Sequence, residues 1–182
     1  MIAYLKGRVL EKGLTYLILE VQGLGYQVFV TPEILQTPLG ETVAVFTYHK
    51  VAEDGQTLFG LPDFETLNFF ELLVSVSGVG PKIALAILSA SPVSSVRQAI
   101  ANQDAGMFTR ISGVGSKTAE RIIVDLKNKV GAVGGSAAGT AVFDALLALG
   151  YNQREVREAV AKLDGSLSEA EQIKRALQLL AK

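Results

Sequence analysis

A nine-residue pattern of this chain occurs twice, identical at six positions. Val76-Ser77-Gly78-Val79-Gly80-Pro81-Lys82-Ile83-Ala84 returns 35 residues further on as Ile111-Ser112-Gly113-Val114-Gly115-Ser116-Lys117-Thr118-Ala119. A repeat at that period requires the same local structure in two places, and each copy follows one helical pattern and opens another. The glycines permit tight, positive-φ geometry and let a ligand come close to the backbone, while the free N–H groups and positive end of the following helix point outward. The pattern therefore describes an anion cradle with a lysine beside it. A phosphate would accept hydrogen bonds from the backbone around Gly80 and Lys82, less the donor that Pro81 lacks, and an ionic contact from Lys82. Gly115 and Lys117 would serve in the same way. Nothing in such a cradle reads a base.

Two other phosphate-binding loops fail on spacing. A Walker A loop needs glycine immediately before Lys-Ser/Thr, but Ser116 stands between Gly115 and Lys117, and the glycine five positions before Gly115 is missing. A dinucleotide fingerprint needs a third glycine at 83 or 118, where Ile83 and Thr118 stand. No nucleotide cofactor is expected. A single Gly-x-Gly reads as a simple helix–helix turn; duplication with the lysine kept argues for the cradle.

The totals oppose that reading at first. In 182 residues, 17 Lys+Arg and 18 Asp+Glu give a net charge of -1, and the pI is about 5.9, which points away from nucleic acid. Position resolves the conflict: residues 1–63 carry 4 basic and 7 acidic side chains, residues 64–131 carry 7 and 5, and residues 132–182 carry 6 and 6. The repeat lies in the basic part. The chain has no cysteine, which excludes disulfides, thiolate zinc sites, iron–sulfur clusters and a cysteine nucleophile. Its one histidine, His49, would have to carry any histidine metal site or Ser-His-Asp triad alone; it reads instead as a surface or interface residue. No metal, cofactor or catalytic residue is expected. With no run of ~18 apolar residues, the reading is a soluble, cytoplasmic protein without membrane contact.

Residues 1–63 alternate apolar and polar positions over Ile2–Leu5, Thr15–Val21, Gly25–Val30 and Thr42–His49, punctuated by Gly and Pro. Asp54-Gly55 sits between Tyr48–Val51 and Thr57–Leu61 as the turn of a hairpin. About five strands in so short a span predict a small five-stranded barrel of the OB type. Seven of the thirteen aromatic residues fall here, at Tyr4, Tyr16, Tyr26, Phe29, Phe46, Tyr48 and Phe59, and read mostly as core.

From Asp63, a plausible N-cap for 64–75, the period becomes helical through residue 130, with Pro81 and Pro92 in first turns and an apolar stripe at Ala119, Ile122, Ile123, Leu126 and Val130. Residues 131–140, uncharged with four glycines, read as a flexible linker. Residues 141–182 predict three short helices with stripes Val142/Leu146/Leu149, Val156/Val160/Leu163 and Ile173/Leu177/Leu180. Their signals are capping boxes at Asn152/Glu155 and Ser168/Glu171 and a stop at Gly150. The fold class is α+β and multidomain.

The paired Ser-Gly-Val-Gly-x-Lys-x-Ala loops resemble the tandem helix-hairpin-helix motifs of the RuvA family of Holliday-junction-binding proteins. The start Met1–Gly7, the segment Glu53–Gly60 and the run Gly78–Leu88 resemble it too, and the likeness covers the full chain. It implies an OB-like barrel at 1–63, a tandem helix-hairpin-helix domain at 64–130, a linker at 131–140 and a three-helix unit at 141–182. It further implies a homotetramer, one or two per four-way DNA junction, whose C-terminal unit recruits the hexameric ATPase RuvB for branch migration, with the endonuclease RuvC in the same pathway.

Carried over residue by residue, the family's phosphate-binding positions fall on Gly78, Val79, Gly80 and Lys82, and on Gly113, Val114, Gly115 and Lys117, with Arg121 one turn further as another phosphate partner. The family's acidic pin falls on Glu53 and Asp54, whose carboxylates at a junction centre would repel the crossing strands. Composition alone reads Glu-Asp-Gly as a solvated turn. Ser116 and Ala52 stand where the resemblance implies a basic residue in some relatives. Two readings compete with this one. A helix-hairpin-helix glycosylase or nuclease would need a catalytic lysine or aspartate behind the second loop, or a carboxylate cluster for magnesium, and offers only Glu120 and Asp125. A pure protein-interaction adaptor leaves the duplicated cradle without a purpose.

Overall fold

The computed structural model describes residues 1–53, 55–130, 142–143, 145–147, 149–160, 163 and 168–180. Five strands, β1 (Tyr4–Lys12), β2 (Tyr16–Val21), β3 (Leu24–Val30), β4 (Thr42–Ala52) and β5 (Gly55–Leu61), close a barrel in the order β1-β2-β3-β5-β4, with a one-turn helix α1 (Pro32–Leu35) between β3 and β4. All pairings are antiparallel except β3 with β5. The period of two puts Leu5, Val9, Leu17, Leu19, Val28, Val30, Val45 and Leu58 inside. The packed interior leaves no room for a side chain at Gly60, where a Cβ would lie 2.9 Å from Val28 Cγ1. The predicted strand at Ile2–Leu5 extends to Lys12 through a bulge between Val9 and Glu11.

The aromatic residues obey the same parity, and it carries most of them away from the barrel interior. Val28 and Val30 point in, so Phe29 between them points out, against Tyr16 at 5.9 Å and Phe59 at 5.8 Å. Phe59 and Tyr48 then meet Phe70 of α2 (Phe64–Val74), with ring centroids 5.8 and 5.2 Å apart. The aromatics therefore build a seam between barrel and helices, while Tyr4 at the edge of the row is exposed. Burying Phe59 and Leu61 on one face and Leu58 on the other makes β5 apolar on both sides.

Asp63 caps α2 as expected, accepting from Thr66 N–H at 2.7 Å. There follow α3 (Pro81–Ala90), α4 (Val93–Ala101), α5 (Ala105–Thr109) and α6 (Ser116–Val130). Pro81 holds the first helical position of α3, but Pro92 is the N-cap of α4, one place earlier than predicted. Asp104 caps α5, accepting from Met107 N–H at 3.3 Å. Leu67, Phe70, Leu73, Ile87, Ile100, Phe108 and Ile122 are fully or almost fully buried. Arg97 of α4 lies 4.9 Å from the Phe69 ring centroid and 3.7 Å from Glu65; burial pulls its pKa down, and the carboxylate opposes that. Barrel and helices through Lys127 form one compact unit.

The second unit, Asn128–Lys182, has helical residues at 142–143 and 145–147, then α7 (Gln153–Val160) and α8 (Glu169–Leu180). Val142, Leu146, Val156, Ala159 and Ala176 are its buried core, with Ile173, Leu177, Leu180, Val160 and Leu163 packed against them. Leu149 departs from its expected stripe and is exposed, because the chain turns at Gly150 (φ 89°), whose N–H donates to Leu147 O. At Ser168, Oγ and N–H both donate to the Glu171 carboxylate, at 2.6 and 3.2 Å. The predicted linker, 131–140, lies outside the described residues.

Candidate nucleic-acid interface

Both repeat loops fold by the same rule. After α2, Val79 N–H donates to Val76 O at 3.0 Å across a turn with Gly78 at φ 91°; after α5, Val114 N–H donates to Ile111 O at 3.0 Å across a turn with Gly113 at φ 88°. Only glycine adopts that backbone without strain. Val79 and Val114, 4% and 5% exposed, plug each loop into the core. Their N–H groups are spent within the turn, so neither offers a free backbone donor.

The second glycine of each loop is different. Gly80, at φ -85° and ψ 168°, is the N-cap of α3, in a backbone any residue adopts. A Cβ built at Gly80 or at Gly115 meets nothing within 4 Å. Neither glycine is required by turn geometry or by close packing within the chain.

Beyond them the intrahelical bonds begin with Ala84 N–H to Gly80 O and Ala119 N–H to Gly115 O, at 3.0 and 2.9 Å. Helix geometry leaves the N–H groups of Lys82 and Ile83 in α3, and of Ser116, Lys117 and Thr118 in α6, without intrahelical acceptors. Lys82 and Lys117 are exposed beside these donors. The second loop runs next to the start of α3, since a Cβ on Gly113 would stand 3.8 Å from Ile83 Cγ1.

Arg121 links the two loops. Its Nη1 donates to Ser77 Oγ at 3.1 Å and to the Ser77 carbonyl at 3.4 Å, joining α6 to the first hairpin. Sequence reasoning placed this arginine one turn beyond Lys117 and missed Ser77, 44 residues away. The repeat offset, which brings the two loops into one structure, was the available signal.

The acidic residues sit on a separate feature, the β4–β5 hairpin, paired from Phe46↔Leu61 to Ala52↔Gly55. Glu53 is exposed at its tip, and Asp54 lies outside the described residues. Lower on the hairpin, His49 Nδ1 accepts from Ile2 N–H at 3.2 Å and Nε2 stands 2.9 Å from Gln56 Oε1. With Nδ1 accepting, Nε2 is the ring nitrogen that donates to Gln56 Oε1. His49 is a half-buried brace between the N-terminal segment and the hairpin. Glu120 and Asp125 are exposed on α6, and among the described residues no three His, Asp or Glu side chains gather where they could hold a metal. No single helix among the described residues is long and apolar enough to cross a membrane.

Comparison with known proteins decides the family. The chain is 39% identical over 195 residues to the Holliday junction branch migration complex subunit RuvA of Mycobacterium ulcerans, covering 100% of this chain and 99% of that one. It is 40% identical over 197 residues to that of Desulforamulus reducens (100% and 98% covered) and 43% over 187 residues to that of Deinococcus radiodurans (93% and 93%). The chain belongs to the RuvA family. The model of the RuvA N terminal domain matches residues 1–60, which the barrel occupies, and that of the RuvA C-terminal domain matches 142–181. Between them a SAM-like helix-hairpin-helix tandem matches 70–128, which contains both repeat loops. The α+β multidomain fold expected from sequence is that of RuvA.

Proposed function

We propose that this chain binds four-way DNA junctions through its two repeat loops, independently of base sequence, as a cytoplasmic scaffold for branch migration. The observation that carries the proposal is the pair Gly80 and Gly115. Each stands at the open start of a helix beside an exposed lysine, and the space a Cβ would fill is empty. Glycine there keeps room for something outside the chain, and uncapped N–H donors with a cation favour an anion such as a DNA phosphate. Gly78 and Gly113 shape the turns, Val79 and Val114 anchor them, Lys82 and Lys117 supply charge, and Arg121 adds a phosphate contact from its remaining N–H donors. The names of the relatives supply the four-way junction as the DNA form.

In a homotetramer, one or two per junction, about four neutralised phosphates per protomer would give about sixteen contacts, enough for tight binding from a weakly basic surface. Exposed Leu14, Leu24, Val51, Phe64 and Val124 are apolar surface that such an assembly would cover. The hairpin tip, Glu53 and Asp54, would act at the centre by repelling the crossing strands. The C-terminal unit would engage the RuvB hexameric ATPase, for which exposed Leu149 and Leu179 are the first residues to alter, and a junction so held would be the substrate of RuvC in the same pathway. The relatives are named as a branch migration complex subunit, which favours this reading over a glycosylase or nuclease.

Lys82→Ala or Lys117→Ala is expected to weaken junction binding equally across DNA sequences. It should also reduce the slope of log K against log salt by about 3 to 4, one phosphate in each of four protomers. Sequence-dependent loss, or none, would count against the cradles. Replacing Glu53 by Gln with Asp54 by Asn should preserve or raise affinity while changing the branch-migration rate; an unchanged rate would remove the pin from the account.

A further inference from the structure

The repeat allows one half of the helical region to be compared with the other. At the 35-residue offset Ala86 on α3 corresponds to Arg121 on α6, and Ser112 in the second loop to Ser77 in the first. Arg121 crosses to the opposite hairpin and holds Ser77 by both Oγ and carbonyl, at 3.1 and 3.4 Å. Ala86 is too short for the reciprocal contact, and it lines an open groove with Ser112, Ser89 and Arg110. At these matched positions the hairpins are bridged on one side and separated on the other.

We propose that Arg121 is a positioning residue, which by holding Ser77 sets the distance between the two cradles and therefore the backbone separation they can span. The inference rests on the reading of the loops as phosphate sites. Lys82 and Lys117 are point charges on flexible stems and adapt to whatever lies before them, whereas the guanidinium is a planar fork suited to fixing geometry. Once the first cradle is on a duplex, engagement of the second is intramolecular, and its effective concentration depends on the spacing between them. Loosening the bridge therefore costs affinity without removing charge.

The test is a double-mutant cycle on the full chain with a four-way DNA junction, measured at several salt concentrations and well below each variant's thermal midpoint. Ser77→Ala, which removes an acceptor and no charge, is expected to raise Kd by about threefold to tenfold with an unchanged salt slope. Added to Arg121→Gln it should have no further effect, because the partner is already gone. Arg121→Lys, which keeps the charge and loses the fork, should raise Kd at least as far as Ser77→Ala with the salt slope again unchanged. An unchanged Kd for Ser77→Ala, or effects that simply add, would overturn the bridge. Lys82→Ala run alongside separates the two levels: if it weakens binding while Ser77→Ala does not, the bridge alone fails, and if neither does, the phosphate reading fails with it.

Discussion

Each loop carries two glycines of opposite character on either side of a buried valine, and this contrast makes the account testable at single residues. Gly78 and Gly113 sit at φ 91° and 88°, so Ala there strains the backbone by about 1–2 kcal/mol and lowers the thermal midpoint. Gly80 and Gly115 have open surroundings, so Gly80→Ala and Gly115→Ala should alter folding stability by no more than about 1 kcal/mol. Junction affinity should nevertheless fall by at least tenfold, read by thermal melting beside a binding titration; unchanged affinity would mean that the space is not for a ligand. The sequence shows both glycines and both lysines, but not which glycine serves the turn and which the ligand, because φ and neighbouring space are properties of the folded chain. It also hides Ser77 as the partner of Arg121, since contacts across 44 residues leave no local pattern.

Secondary structure was legible where the signal is local. Asp63 before an apolar helix, Pro81 at a helix start and Gly150 at a stop each act through their own neighbours, and the structure has them in those roles. That the barrel aromatics pack was legible, but not against what: alternation shows that Phe29 and Val28 face opposite ways, not which face is the interior, and α2 settles that by giving the outer face a partner. The cap at Ser168 has a pH signature. Its hydroxyl and then its N–H hold the Glu171 carboxyl below the usual carboxylate range, so the cap stabilises α8 above the unfolded carboxyl value and is lost as pH falls through the lowered folded value. On acid titration followed by circular dichroism, Ser168→Ala should lose helix at higher pH than the parent chain; superimposable curves would show that the cap contributes nothing.

At the scale of the molecule, a net charge of -1 is the sum of an acidic barrel and a basic helical region. The barrel brings the acidic hairpin, and the aromatic seam along Tyr48, Phe59 and Phe70 joins it to the helices in one compact unit, Met1–Lys127. The change from strand to helix at 63 was legible from the sequence, but that these two parts pack as one body was not, because the seam forms only between side chains brought together by the fold. On the proposed function, this body recognises the shape of a junction through phosphates alone. Gel-shift titration of a four-way junction against linear duplex of equal length, with full chain and with residues 132–182 deleted, tests it most directly. Strong preference for the junction without cleavage, kept after the deletion, is the predicted result; equal binding to duplex, cleavage of the DNA, or loss of junction binding on deletion would contradict it.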